Sequence, residues 1–302
     1  MSAFIDAHRE RLGVEPICRE LEVSASAYRA RKTRPPSQRA LLDAYLLSEI
    51  RRVHAESNGV SGQLRTWDEL NETGVSVARC TVERLMRRYG IVGVGPAKTK
   101  TTALPGAQAV PAADLVRRDF TANRPDKLWH ADFTYIRTWE GWAYLAVVLD
   151  VFTRRIVGWQ LAPHMRQSLV TDAFEMALAS RQEHEDRLIA HSDNGSQYTS
   201  YEYTERLARA GIAPSRGRTG TALDAMAESV TATLKRELIS RYHRPTRLDL
   251  ELALVTYIGW YNAKRRHRSL RRTSNDGRTR RQAPLQVLEQ YNQQDSVTLV
   301  PK

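Results

Sequence analysis

Cysteine is almost absent: Cys18 and Cys80 are the only two in 302 residues. They are too few and too far apart for a disulfide framework or a Cys-x-x-Cys zinc site, so both are expected to be buried and reduced. No stretch reaches the roughly 20 consecutive apolar residues that a membrane helix needs, since the best candidate is interrupted by Asp150. The opening Met1-Ser2-Ala3-Phe4 does not read as a signal peptide, and the expected location is cytoplasmic. Acidic residues are outnumbered at both ends and scarce only at the C-terminal one. Residues 1–120 carry 19 cations against 14 anions, 121–240 carry 14 against 15, and 241–302 carry 13 against 5. A net charge of +12 on basic flanks around a neutral middle argues for a polyanionic partner, while 41% hydrophobic residues suit a globular chain of more than one domain.

Aromatic and β-branched residues are concentrated in one place. Residues 128–139, 142–152 and 155–161 read as three strands, broken at Glu140-Gly141 and Thr153-Arg154 as short hairpin connections require. Asp132 lies inside the first. Among Trp129, Phe133 and Tyr135 its carboxylate would be desolvated at considerable cost unless partnered, so it is either on a solvated strand face or in use.

Ahead of the strands the pattern is helical. Residues 4–30 read as two short helices with Ile17, Leu21 and Tyr28 as a partial apolar stripe and Ser24 as a cap between them. Residues 41–54 form a clearer amphipathic helix, striped by Leu42, Tyr45, Leu46, Ile50 and Val53. Two more helices, 63–72 and 78–89, follow the Asn58-Gly59 turn. The Gly-containing turn between them and the arginines of the second, Arg79, Arg84, Arg87 and Arg88, fit a helix-turn-helix module; a small bundle with a solvated basic face has the same periodicity. Residues 98–113 mix Lys, Thr, Pro and Ala without a period and read as a linker.

Beyond the strands, residues 167–181 predict a helix with Leu169, Ala173, Met176 and Ala177 inward. A short strand at 187–191 delivers the polar run His191-Ser192-Asp193-Asn194-Gly195-Ser196-Gln197-Tyr198. A helix at 201–210 stops at Gly211, and a loop at 216–221 leads into a long helix from about 224 to 242 that carries Glu228, Lys235 and Glu237. Singly, Asp132, Asp193 and Glu228 each have an ordinary reading as surface or capping residues. Together, in that order and between basic segments, they suit hard divalent cations, which take oxygen ligands and work beside substrate phosphates.

The motifs Trp129-x-Ala-Asp132-x-Thr134-Tyr135, Leu149-Asp150-Val-Phe-Thr-Arg154-Arg155-Ile-Val-Gly158-Trp159, His191-Ser-Asp193-x-Gly195-Ser-Gln197-Tyr198 and Ala227-Glu228-Ser229…Leu234-Lys235-x-Glu237-Leu238 resemble the OrfB-type transposases of bacterial insertion sequences, within the DDE transposase and retroviral integrase superfamily. The resemblance spans about residues 4 to 268. It implies an α/β RNase H-like core, a mixed five-stranded sheet with flanking helices, preceded by an all-α helix-turn-helix region. It further implies two Mg²⁺ or Mn²⁺ ions, double-stranded DNA at element ends and targets, a homo-oligomer on DNA, and the upstream OrfA product as a partner or fusion. Carried over by position, Asp132, Asp193 and Glu228 are the catalytic metal ligands. Lys235, seven residues after Glu228 and so on nearly the same helix face, is a DNA contact beside the scissile phosphate.

The chain departs from the family pattern twice. Asp224-Ala225-Met226-Ala227-Glu228 is one residue shorter than the usual Asp-Asn-Ala-x-x-Glu, and His267-Arg268-Ser269-Leu270 leads into a polar basic insertion before Ala283-Pro284. A catalytically decayed DNA-binding copy, or an RNase H-like nuclease that only hydrolyses, are the alternatives. The expected organisation is an N-terminal helical segment (1–40), a helix-turn-helix-like domain (41–95), a linker (96–118), the catalytic core (119–245) and a C-terminal helix with a basic tail (246–302). In that last segment Leu252, Val255, Ile258, Trp260 and Tyr261 are expected to pack on the core. Lys264, Arg265, Arg266, Arg268 and the further arginines to Arg281 are expected to contact phosphates, the usual alternative being a solvated charge run.

Overall fold

The computed structural model describes residues 2–95, 121–181, 187–192, 198, 200–216, 222–243, 245–273 and 279–298, the side chains of 216, 222–228 and 296–298 excepted. The expected linker, the run Asp193 to Gln197 and the loop 217–221 lie outside these. The chain divides into two compact units, residues 1–51 and 52–302.

The first unit is helical: α1 (Ser2–Leu12), α2 (Val14–Glu20), α3 (Ala25–Thr33) and the start of α4 (Gln38–Glu56). Ile5, Ile17, Cys18 and Tyr28 form a small core. Ser24 caps α3 by accepting from the Ala27 amide at 3.2 Å. The Tyr28 hydroxyl donates to Asp6 at 2.6 Å, and Lys32 pairs with the same carboxylate at 2.7 Å. On α4 the buried residues are Leu46, Leu47, Ile50 and Val53, whereas Leu42 and Tyr45 are exposed, contrary to expectation. The apolar residues of this helix extend round more of its surface than it buries.

In the second unit α5 (Gln63–Glu72) and α6 (Arg79–Arg88) pack as a pair. Their turn uses Gly74 at φ 87°, a conformation that suits glycine. Trp67 Nε1 and the Asn71 side-chain amide both donate to the Val77 carbonyl, tying the turn back onto α5. Val82, Leu85 and Met86 are the buried face of α6. Cys80 is exposed, which corrects the expectation that both cysteines are buried.

The core sheet is built on β1 (Leu128–Thr138), β2 (Gly141–Asp150) and β3 (Ile156–Ala162), an antiparallel meander. Helix α7 (Gln167–Ala179) crosses to β4 (Ile189–Ser192), and α8 (Tyr201–Arg209) to β5 (Ala213–Arg216), giving the order β3-β2-β1-β4-β5 with β4 parallel to both neighbours. Helix α9 (Ala222–Glu237) follows, then a 3₁₀ turn at Ile239–Arg241, α10 (Arg247–Ala263), the hairpin β6 (His267–Thr273) and β7 (Thr279–Gln282), and α11 (Pro284–Thr298). One face of the sheet packs Trp129, Ala131, Ala146 and Val148 against residues of α7 and α8; the other packs Ile136, Leu145, Val147 and Leu149 against α9 and α10. This three-layer, mixed five-stranded arrangement behind a helical region is the expected RNase H-like α/β fold.

Gly158 explains how closely α7 lies on β3: a Cβ there would stand 2.0 Å from the Ala173 carbonyl oxygen. The helix therefore centres Ala173 and Ala177 on the sheet, and Met176, expected to face inward, stands at the exposed flank. On α10 the buried seam is Leu250, Leu254, Tyr257, Ile258 and Tyr261. Leu252 and Val255, expected in the core, are 60% and 56% exposed because they lie on the opposite side of the helix, which is apolar on both sides. Neither the C-terminal hairpin nor α11 is foreseen by the hydrophobic pattern.

Candidate active site

Alternation along β1 decides which way its side chains point. Trp129 and Ala131 enter the α7 side, so His130, Asp132, Thr134 and Ile136 face α9 and α10. Asp132 is half-buried, and the Phe133 amide donates to its Oδ1 at 2.8 Å. Lys235 of α9 places its Nζ 5.3 Å from the centroid of the exposed Tyr135 ring. Burial pushes the Lys235 ammonium down, and the charge of Asp132 opposes that shift, so the two groups are within electrostatic reach.

Beside Asp132, two histidines lie side by side on parallel strands, their rings tilted by 45°. His130 and His191 are register partners with ring centroids 5.6 Å apart, and both are buried. His191 Nδ1 and Ser215 Oγ lie 3.0 Å apart. Burial, helped by His191, pushes His130 down to about 3, so it is an uncharged imidazole at neutral pH. The pair before the acids is also in register: Ala131 lies opposite Ser192, the last residue of β4. Asp193 and the Glu228 side chain lie outside the described residues, although the backbone of α9 runs through position 228. The described residues alone contain no group of three His, Cys, Asp or Glu placed to hold a metal ion.

Two carboxylates that sequence reasoning passed over hold the surroundings together. Asp150 is 1% exposed and accepts from the Asp126 amide at 2.9 Å, the Thr153 amide at 2.7 Å and the Thr153 hydroxyl at 2.6 Å. Burial raises its pKa against these bonds. It organises the β2–β3 turn in which Arg154 takes φ 62°. Glu237, near the end of α9, accepts from Arg265 Nε and NH2 at 2.8 Å each, from the Tyr257 hydroxyl at 2.7 Å and from Arg65 NH1 at 3.1 Å. The signal for Glu237 was its place in the long helix; its partners lie 28, 20 and 172 residues away.

The arginines expected to meet DNA fall into distinct groups. On α6, Arg79, Arg87 and Arg88 are exposed and Arg84 is partly so. In the C-terminal run, acids already hold most of the charge. Lys264 pairs with Glu56 at 3.0 Å, Arg265 with Glu237, Arg266 with Glu69 at 2.7 Å, Arg280 with Glu72 at 4.0 Å and Arg281 with Asp68 at 2.8 Å. The last three pairs clamp α5 onto the β6–β7 hairpin and the residue that leads into it. Arg268, Arg271 and Arg272 have no acidic partner among the described residues, and Arg278 lies outside them.

Three regions match family models: an HTH-like domain at residues 42–99 and integrase core domains at residues 122–222 and 210–274. The transposase for insertion sequence element IS629 of Shigella sonnei is 43% identical over 271 residues, covering 88% of this chain and 90% of the relative. The transposase for IS904 of Lactococcus lactis is 38% identical over 78% of this chain and 94% of its own, and transposase InsF for IS3A of Escherichia coli is 33% identical over 87% and 93%. Among solved structures, the HTLV-2 integrase catalytic core domain in complex with magnesium aligns at a TM-score of 0.42 and 18% identity, over 55% of this chain and 99% of that one, a likeness that carries no functional inference. With an HTH-like region ahead of an integrase core, and relatives aligned over nearly their full length, the chain belongs to the insertion-sequence transposases.

Proposed function

We propose that the protein carries out divalent-metal-dependent cleavage and strand transfer at the ends of its insertion sequence, with Asp132, Asp193 and Glu228 as ligands of Mg²⁺ or Mn²⁺. The observation that carries this reading is the pairing of Ala131 with Ser192, each one residue before an acid, on β1, which packs against α9, and its neighbour β4. In a parallel pair, residues in register project to the same side. Carboxylate oxygens are the donor set that hard divalent cations take, and the half-buried Asp132, oriented by the Phe133 amide, fits it.

Glu228 is assigned from the helix. In regular α-helix seven residues return to within about 20° of the starting direction, so position 228 falls on the same stripe of the α9 backbone as position 235. Lys235 feels the charge of Asp132. The missing residue before Glu228 is then absorbed ahead of the helix, whose inner face is set by Val230 and Leu234 in the core. Bound metal would supply activation of the attacking oxygen and stabilisation of the leaving one. The chain's own part is to place carboxylates on one strand face, to set Lys235 against a non-bridging phosphate oxygen, and to hold α9 through Glu237. We further assign Arg79, Arg84, Arg87 and Arg88 to recognition of the element end, and Arg268 to phosphate contact. Arg265 and Arg266, expected to contact phosphates, are assigned to positioning instead, since their guanidinium groups are committed to Glu237 and Glu69.

Strand-transfer assays with element-end duplex and Mg²⁺ test the reading. Asp132→Asn, Asp193→Asn and Glu228→Gln are each expected to abolish cleavage and joining while DNA binding persists; normal transfer by any of them removes that residue from the site. Insertion of Asn after Asp224 is expected to leave activity near its starting level. A large gain would mean the present helix is out of phase.

A further inference from the structure

A second side of α9 lines a cleft rich in arginine. Ser229, Thr233 and Arg236 lie at i, i+4 and i+7 on this helix and line a cleft of about 740 Å³ together with Arg154, Arg268 and Arg271. Their stripe is about a third of a turn round the helix from Lys235. Arg65 and Arg265 also border the cleft, but Glu237 neutralises them from behind. Among the described residues no carboxylate lines it. Arg236 spends its guanidinium on the Ala232 carbonyl and the Thr233 hydroxyl, and Arg271 on the Arg268 carbonyl; none of Arg236, Arg268 and Arg271 has an acidic partner among the described residues. Three such guanidinium groups held on one cleft repel each other unless an anion enters.

We propose that this cleft is a second phosphodiester-binding site, which grips the backbone of duplex DNA at a phosphate other than the one being cut. It rests on the DNA-acting reading above and deepens it. The chemistry fits in three respects. Guanidinium forks match phosphate oxygens bidentately, the hydroxyls of Ser229 and Thr233 add neutral donors, and the wall is formed by the helix that carries Glu228 and Lys235. DNA bound in the cleft therefore braces α9 from the side away from Lys235. The contacts are to backbone only, so the site adds affinity without sequence preference.

The test is a salt titration of binding to duplex DNA of unrelated sequences, using the full chain. The Arg236→Gln, Arg268→Gln, Arg271→Gln triple variant is expected to weaken binding to all duplexes alike and to make the slope of log affinity against log salt shallower by roughly two to three units, at about 0.9 per phosphate contact. The corresponding triple Lys variant, which keeps the charge and guards against a folding artefact, should retain most of the slope. An unchanged slope in the Gln variant, with wild-type chain binding DNA normally, overturns the cleft as a DNA site and leaves the proposed chemistry standing. Thermal stabilisation by pyrophosphate that the Gln variant loses, with duplex binding unaltered, would make it a small-anion site and equally overturn the proposal. Because the readout is binding, the result is independent of whether Asp132→Asn blocks strand transfer.

Discussion

Glu237 holds Arg265 by a two-pronged ion pair, Nε to Oε2 and NH2 to Oε1, each at 2.8 Å, with both side chains buried. The pair joins α9 to the segment leading into the hairpin, and Arg65 brings in α5. Removing one member of a buried pair leaves the other charge without compensation, at a cost of about 3–5 kcal/mol. Glu237→Ala is therefore expected to lower unfolding stability by that amount in urea titrations. The double variant Glu237→Leu, Arg265→Met should cost less than Glu237→Ala alone, since it leaves one fewer uncompensated charge.

The same carboxylate predicts a pH dependence. Burial pushes the Glu237 carboxyl up, but the hydrogen bonds and charge of Arg265, with Arg65 and Tyr257, outweigh burial and hold it below the ordinary glutamate value of 4.5. A group whose pKa is depressed by folding contributes stability that is fully present above the unfolded value and lost as pH falls through the folded one. The stability gap between wild type and Glu237→Gln should thus be constant from neutrality down to about pH 5 and shrink below pH 4.5. A gap that widened under acid would reverse the assigned direction.

Gly158 is expected to tolerate no side chain. A Cβ would lie 2.0 Å from the Ala173 carbonyl oxygen and 2.8 Å from the Ala177 amide nitrogen, both backbone atoms of α7 that move only if the helix moves. Overpacking of this kind typically costs about 1–3 kcal/mol and here belongs at or above the upper end. Calorimetry of Gly158→Ala should show a melting point lower by several degrees; an unchanged one would mean that α7 floats on the sheet.

The two basic regions should fail differently. Neutralising Arg87 and Arg88 on α6 is expected to erode the preference for the element end over unrelated duplex in competition binding. Neutralising Arg268, Arg271 and Arg272 should weaken both equally. A change of sequence preference from the second set would exchange the roles.

Much of this architecture is legible in the chain because local signals and global fold agree. The three strands show their alternation, Ser24 and Gly211 mark helix ends, and the carboxylates stand out against aromatic surroundings. The failures have a common cause. Leu252, Val255, Met176, Leu42 and Tyr45 are apolar residues on helices that are apolar over a wide arc, where periodicity cannot say which side is buried. The basic C-terminal run hides a hairpin because its cations are matched by acids on α5, about 200 residues earlier: Asp68, Glu69 and Glu72. Spacing along the chain carries no trace of such pairs. Glu237 was missed as a structural carboxylate for the same reason, its partners being set by the fold, whereas Asp150 takes two of its bonds from Thr153 in the adjoining turn.

The central claim is that Asp132, Asp193 and Glu228 share metal ions, and diffraction from crystals grown with Mn²⁺ tests it most directly. The account predicts anomalous density between the Asp132 and Asp193 carboxylates, with Glu228 reaching it from the side of α9 that carries Lys235, and ions about 4 Å apart where two are bound. A Glu228 carboxylate on the outer side of α9, more than about 8 Å from the other two, is incompatible with ions at that spacing and would contradict it.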